Sequence, residues 1–163
     1  MPVAEADAAL AGAGSWVAKN GLTPHPGKTH AGGCRVPGQG FEVLGSRFEA
    51  GQRHVRKKSL TKLKDAIRDQ TRRTRGESLD TVIVDLNRTL RGWFGDVKQA
   101  HRYPVVKLDQ CTRRRLRALL RKQDKRPARG HCRADHQRWP NAHVADAGLF
   151  ALHTAWQSAR QSR

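Results

Sequence analysis

The chain has 163 residues and a mass of 18.2 kDa, which is enough for one compact domain with a modest core. Its formal net charge of +18 attracts polyanions, and no apolar run approaches the roughly 20 residues that a membrane span needs. The three scattered cysteines argue against a disulfide framework and for a reducing compartment. Nucleic acid is therefore the first partner to consider, and an anionic membrane surface is the second.

The first 40 residues predict a helix and then a loop. Residues 4–19 are rich in alanine, which favours a helix, and no basic segment precedes Glu5, so a secretory signal is not predicted. The loop ends in Gly27-Lys28-Thr29, as phosphate-binding loops do. However, Gly21 lies one residue too far from Gly27, and two prolines remove backbone donors, so the spacing argues against a nucleotide triphosphate site.

Apolar and polar residues alternate in short stretches between residues 41 and 55. The segment Glu49-Ala50-Gly51-Gln52 interrupts the alternation with residues typical of a turn. This pattern predicts a β-hairpin.

Two amphipathic helices are predicted between Lys57 and Trp93. The first helix is expected to begin with Ser59 as its N-cap and to end at the Arg75-Gly76 pair. The second is expected to begin with Ser78 as its N-cap. Both have apolar residues at intervals of three and four, with lysines and arginines mainly on the other faces. The apolar residues are Leu60, Leu63, Ile67, Leu79, Val82, Ile83, Leu86 and Leu90. The sequence therefore predicts a helical hairpin with a basic outer surface.

A third helix is predicted from near Val105 until Pro127 stops it. Residues 127–148 then resemble a loop, and a zinc site there is disfavoured because its histidines and Cys132 lack metal-ligand spacing. Leu149, Leu152 and Trp156 share one face of a last helix, which we expect to dock on the core.

The order of residues in the helical hairpin carries a family resemblance. The stretch KxSLxKLKDxIRxxTRRTRGxSLxxxIxxLNxxLRGW, from Lys57 to Trp93, closely resembles the maturase domain of group II intron-encoded reverse transcriptases. The third helix, LDQCTRRRLRALLRKQDKRP, resembles the same family. GLTPHPGKT and GFEVLG, before the hairpin, resemble the last two blocks of the reverse-transcriptase palm.

This resemblance implies a mainly α fold. It would be a small helical bundle of the thumb or maturase type, preceded by a short β-hairpin and an N-terminal palm remnant. The implied regions are residues 1–56 for the palm remnant with its hairpin, 57–126 for the helical domain, and 127–163 for a loop with a docking helix. The last region resembles the tail of one bacterial branch, so a cytoplasmic protein of bacterial type is expected.

The resemblance also implies a function, which is to bind intron RNA and assist group II intron splicing. The family's Tyr-x-Asp-Asp box, whose carboxylates hold two metal ions, would lie before the first helix. We therefore expect a truncated maturase that is not an enzyme by itself and has no catalytic residue, metal or cofactor. DNA would be a partner only if a palm were joined to the chain. Two alternatives stay open: a thumb-containing piece of a split RNA-directed DNA polymerase, or a nonspecific cationic remnant of a decayed mobile element.

The predicted RNA-binding residues are the basic residues of the three helices together with one tryptophan. Shape would set much of the selectivity, because side chains cannot read the deep major groove of A-form RNA. Trp93 would stack on an unpaired base or, alternatively, belong to the core. In the parent family, Lys28 matches a residue near the incoming nucleotide, although a solvated loop lysine is an equal alternative. The full set is Arg68, Arg72, Arg73, Arg75, Arg91, Trp93, Arg113, Arg114, Arg115, Arg117, Lys122, Lys125 and Arg126.

Overall fold

A computed structural model describes residues 3–29, 32–126 and 132–161. The described residues form seven α-helices and a small three-stranded sheet, so the predicted mainly α class is confirmed. Contacts divide the chain into two compact units, Met1–Phe41 with Phe48–Gly51 and Glu42–Arg47 with Gln52–Arg163. The predicted division into three regions stays a prediction.

The first unit contains the predicted alanine-rich helix, α1 (Val3–Lys19). The side chain of Asn20 donates to the backbone oxygen of Trp16 at 2.8 Å, and Gly21 follows with a positive φ of 72°, which ends the helix. A 3-10 turn, Pro26–Lys28, lies at the Gly27-Lys28-Thr29 segment, whose spacing argues against a nucleotide triphosphate site.

The sheet has one strand more than the predicted hairpin. Its strands β1 (Gly40–Val43), β2 (Ser46–Glu49) and β3 (Gln52–Val55) lie in the order β1-β2-β3. The turn at Ala50-Gly51 is confirmed. A second tight turn occurs at Leu44-Gly45, where φ is 47° and 76°, and it adds the third strand. The prediction missed this turn because leucine rarely adopts a positive φ.

Three long helices supply most of the second unit: α2 (Lys57–Gln70), α3 (Leu79–Val97) and α4 (Tyr103–Gln123). Their apolar faces meet in one core, as the spacing predicts. The core includes Leu63, Ile67, Val82, Ile83, Leu86, Leu90, Val105, Leu108, Leu116 and Leu119.

The predicted helix boundaries are correct in part. Ser78 does cap α3, since its hydroxyl accepts from the Thr81 backbone nitrogen at 3.2 Å. Ser59 is not the N-cap of α2, which begins two residues earlier; its hydroxyl instead accepts from Trp93 Nε1 at 3.1 Å. The α2 helix also ends at Gln70, before the predicted Arg75-Gly76 stop.

The loop prediction for residues 127–148 is wrong for the part that the structure describes. Two short helices, α5 (Arg133–Arg138) and α6 (Asn141–Asp146), occupy it. Neither has a long apolar stripe that the sequence could reveal. The backbone nitrogen and Sγ of Cys132 both lie within hydrogen-bond distance of Asp135, which fixes the start of α5.

The docking of the last helix, α7 (Leu152–Gln161), is confirmed. Leu152 and Trp156 are buried, and Trp156 Nε1 donates to the Ala100 backbone oxygen at 2.9 Å. The Asp109 carboxylate, on α4, accepts from the backbone nitrogens of Leu152 at 3.0 Å and His153 at 2.9 Å. Asp109 of α4 therefore caps the N-terminus of α7, because the first N–H groups of a helix have no partner within it.

Candidate nucleic-acid interface

The turn between α2 and α3 and the last turns of α4 enclose a cavity of about 390 Å³. Arg72 and Arg73 line it from the turn, and Lys122 lines it from α4. We call this cavity the turn groove; its other lining residues are Thr74, Gly76, Glu77, Leu119 and Gln123. The structure thus brings together basic residues that lie about 50 positions apart in the sequence.

Two contacts maintain the shape of the turn groove. Gln123 Nε2 donates to the backbone oxygen of Glu77 at 2.8 Å, which joins α4 to the turn. Gly76 has a φ of 71°, a conformation that side chains rarely adopt, so the chain reverses there at little cost.

Two exposed arginines among the predicted residues, Arg68 on α2 and Arg72 in the turn, have carboxylates beside them. Arg68 Nη1 lies 2.5 Å from Asp65 Oδ1, and Arg72 Nη2 lies 2.6 Å from Asp69 Oδ1. All four side chains are more than half exposed, and exposed ion pairs contribute only about 0–1 kcal/mol. A phosphate can therefore replace Asp69 as the partner of Arg72.

Arg75 is held inside the turn. Its Nε lies 2.9 Å from Glu77, and its Nη2 donates to Asp85 at 3.1 Å. The hydrogen bond to Glu77 raises the pKa of Arg75 above its ordinary value; partial burial opposes this shift, and Asp85 adds to it. These bonds give Arg75 a role in the shape of the turn.

Arg115 caps the end of α2. Its Nε donates to Thr71 Oγ1 at 2.5 Å, and its Nη2 donates to the Arg68 backbone oxygen at 3.0 Å. Burial lowers the pKa of Arg115. Because the last carbonyl groups of a helix lack partners within it, this guanidinium fastens α2 to α4.

Two other arginines of α4 pair with buried carboxylates. Arg113 lies 3.5 Å from Asp109 of the same helix, and Arg121 forms an ion pair with Asp135 of α5. Burial alone would raise the pKa of Asp135, but hydrogen bonds from Cys132 and Arg121 outweigh it and hold that pKa below its usual value. Arg121 therefore joins α5 to the bundle, whereas Arg113 lies beside the carboxylate that accepts from the first nitrogens of α7.

Arg117 is only 3% exposed. Its Nε donates to the Trp139 backbone oxygen at 2.8 Å, and its Nη2 donates to Asn141 Oδ1 at 2.6 Å. It therefore lies beneath the surface and contacts the junction of α5 and α6, not the exposed flank on which the sequence placed it.

The remaining predicted residues fall into two groups. Arg114, Lys125 and Arg126 are exposed, and the last two follow α4 beyond Lys122. Arg91 lies over the Phe150 ring at 5.3 Å, outside the turn-groove lining.

Two predicted residues remain, Trp93 and Lys28. Trp93 is partly buried and packs against the core, which supports the core alternative over base stacking. The side chain of Lys28 lies outside the described part of the structure.

Sequence reasoning missed several polar residues around these arginines. Gln110, His136 and Asn141 surround Arg113, Arg114 and Arg117 in a second cavity. No local pattern marks them, because they come from three helices and only the packing brings them together. Over the described ranges, no group of three or more His, Cys, Asp or Glu side chains is placed to hold a metal ion. Within those ranges, no helix is both long and apolar enough to cross a bilayer.

A small helical bundle with this charge and with cavities lined by cations has the architecture of a basic nucleic-acid-binding domain. Residues 60–139 match the family model of the group II intron, maturase-specific domain. The predicted resemblance is therefore confirmed over residues 60–139, which carry the maturase-specific domain. No curated protein matches the chain. The domain gives the chain a maturase-type role in group II intron splicing and group II intron RNA as a partner.

Proposed function

We propose that the turn groove binds phosphates of folded group II intron RNA and holds the intron in its splicing-competent conformation. The observation that carries this proposal is the meeting of Arg73 and Lys122, from distant parts of the chain, in one cavity. Neither side chain has a carboxylate partner among the described residues. Arg72 adds a third cation whose exposed ion pair is easily exchanged.

The groove suits phosphates because of its chemistry. Arginine forms two parallel hydrogen bonds to a phosphate, whereas lysine acts as a compact charge. Lys125 and Arg126 extend the positive surface past the end of α4. A fixed array of this kind selects RNA by the spacing of its phosphates, so shape contributes to selectivity.

In this proposal the chain stabilises the RNA and the RNA makes and breaks the bonds. A protein that binds one conformer of an RNA shifts the equilibrium toward that conformer by mass action. We assign no polymerase step to the chain itself. A DNA target becomes a partner only when a polymerase palm acts with the chain.

A splicing assay at limiting Mg²⁺ tests the proposal. We expect the chain to raise the yield of spliced product from a self-splicing group II intron RNA about tenfold, which corresponds to about 1.4 kcal/mol of conformer stabilisation. The variant Arg73→Glu should lose most of this gain, whereas Arg88→Glu, on the exposed side of α3, should retain it. An intron with a disabled catalytic centre should stay unspliced whether or not the chain is present.

Two results would overturn the proposal. If Arg73→Glu supports splicing as well as the unmodified chain, the turn groove is not the binding surface. If the disabled intron is spliced when the chain is added, the protein takes part in the chemistry.

A further inference from the structure

The second cavity has a volume of about 420 Å³ and lies between α4 and the two short helices that follow it. We call it the α4–α5 pocket. All of its lining residues have polar or charged side-chain groups, and the turn groove shares none of them. Its lining residues are Gln110, Arg113, Arg114, Arg117, His136 and Asn141.

Positive charge in this pocket is poorly compensated. Three of the six described lining residues are arginines, and none of the six is a carboxylate. Arg113 shares Asp109 with the start of α7, at an ion-pair distance of 3.5 Å. Arg114 is exposed and has no ion pair within the described ranges.

Arg117 is the most unusual of the three arginines. Buried charges are normally paired with an opposite charge, because desolvation is costly. Yet both of its hydrogen bonds go to neutral oxygens, those of Trp139 and Asn141. Burial lowers the pKa of Arg117, the positive charge of Arg113 lowers it further, and Asp135 only partly opposes them. An anion in the pocket would supply the missing charge.

The pocket is also larger than an inorganic anion requires. Cavities of about 300–1,000 Å³ are typical of sites for organic ligands. Asn141 Oδ1 already accepts from Arg117, so its amide nitrogen is left as a donor for a ligand. Gln110 is exposed at the same rim and offers a second amide. Donors outnumber acceptors, which favours a ligand rich in oxygen acceptors.

We propose that the α4–α5 pocket binds one unpaired nucleotide of the RNA. Its phosphate lies against the guanidinium groups of Arg113, Arg114 and Arg117, and its base lies against the amides of Gln110 and Asn141. Uracil, which has two carbonyl oxygens, and guanine, whose O6 and N7 are adjacent acceptors, fit the donor-rich lining best. Unpaired bases are the usual targets of specific RNA recognition, because their edges are accessible. This inference rests on the proposed function, to which it adds a contact that reads a base.

Calorimetry with the full chain tests the pocket, using UMP, GMP, ribose 5-phosphate and inorganic phosphate as probes. We expect UMP and GMP to bind several times more tightly than ribose 5-phosphate. Arg114→Gln should weaken UMP binding by about tenfold, as expected for one charge-assisted hydrogen bond. Arg88→Gln removes the same charge from α3 and should leave UMP binding unchanged.

The variant Gln110→Ala tests the base contact separately from the phosphate contact. It should reduce the preference for UMP over ribose 5-phosphate and leave ribose 5-phosphate binding unchanged. The inference is overturned if the four probes bind equally, or if Arg114→Gln and Arg88→Gln weaken UMP to the same extent.

Intron RNA binding by the same variants distinguishes the two proposals. Suppose that Arg73→Glu loses RNA affinity but the pocket shows no preference for nucleotides. This result refutes nucleotide binding by the pocket and leaves the proposed function standing. Unchanged RNA affinity in Arg73→Glu refutes the proposed function, and unchanged RNA affinity in Arg114→Gln refutes the contact between the pocket and the RNA.

Discussion

Replacing Arg73 and Lys122 together by glutamate is expected to weaken binding to a self-splicing group II intron RNA by about 100-fold, or about 2.7 kcal/mol. Each replacement removes a phosphate contact and places a negative charge in the turn groove, where it repels the ligand. Neither side chain supports the core, since both are exposed and have no ion pair within the described ranges. Filter binding at fixed salt measures the loss.

A matched double variant separates position from total charge. Arg88→Glu with Lys107→Glu changes the net charge of the chain by the same amount at exposed positions outside both cavities. We expect it to weaken binding by only about threefold, through the long-range field alone. Equal losses in the two double variants would mean that the RNA responds to overall charge and not to the turn groove.

Removing the Asp109 carboxylate should have the largest effect on stability. Asp109→Ala is expected to lower the free energy of unfolding by about 3 kcal/mol, because two backbone N–H groups and Arg113 lose a buried charged partner. The start of α7 would be released, and with it the docking of Trp156. Urea unfolding, followed by tryptophan fluorescence, measures the change.

Two further variants show whether the Asp109 effect depends on this contact. Asp109→Asn keeps one oxygen acceptor and should lose about half as much stability. Asp146→Ala removes an exposed carboxylate at the end of α6 and should change stability by less than about 0.5 kcal/mol. If Asp109→Ala and Asp146→Ala unfold at the same urea concentration, the contact between α4 and α7 does not stabilise the bundle.

Apolar spacing predicted the long helices well, because a buried stripe repeats along the sequence itself. Ile67, Leu86 and Leu116 fall at core positions in both the pattern and the structure. Helix ends were harder to predict. The end of α2 depends on Arg115, which lies more than 40 residues later in the chain. A tertiary contact of this kind has no local sequence signal.

The roles of the individual arginines could not be predicted from their spacing. Arg113, Arg114 and Arg115 are consecutive, yet only the first two line the α4–α5 pocket, with Arg113 also beside Asp109. Arg115 instead contacts the end of α2. Successive residues of a helix point about 100° apart, so one basic run serves several elements. The net charge alone indicated a polyanion partner. The burial of each cation and its contacts within the protein determine which cations are available to bind that partner.

The turn groove and the α4–α5 pocket share α4 as their common support. Arg114 and Lys122 are eight residues apart, which is about 12 Å along a helix axis. One folded RNA can therefore contact both sites. The contacts that Arg115 and Arg121 make with neighbouring elements keep α4 in place, so the structural and RNA-facing arginines support each other.

The salt dependence of intron binding shows whether the turn groove binds RNA phosphates, because it counts the phosphates that the protein neutralises. The logarithm of affinity falls with the logarithm of salt concentration by about 0.7–0.9 for each phosphate contact. Replacing Arg73 and Lys122 by glutamine should therefore reduce the slope by about 1.5, whereas the same replacements at Arg88 and Lys107 should leave it unchanged. An unchanged slope for the groove variant would contradict the proposal that the turn groove binds RNA phosphates.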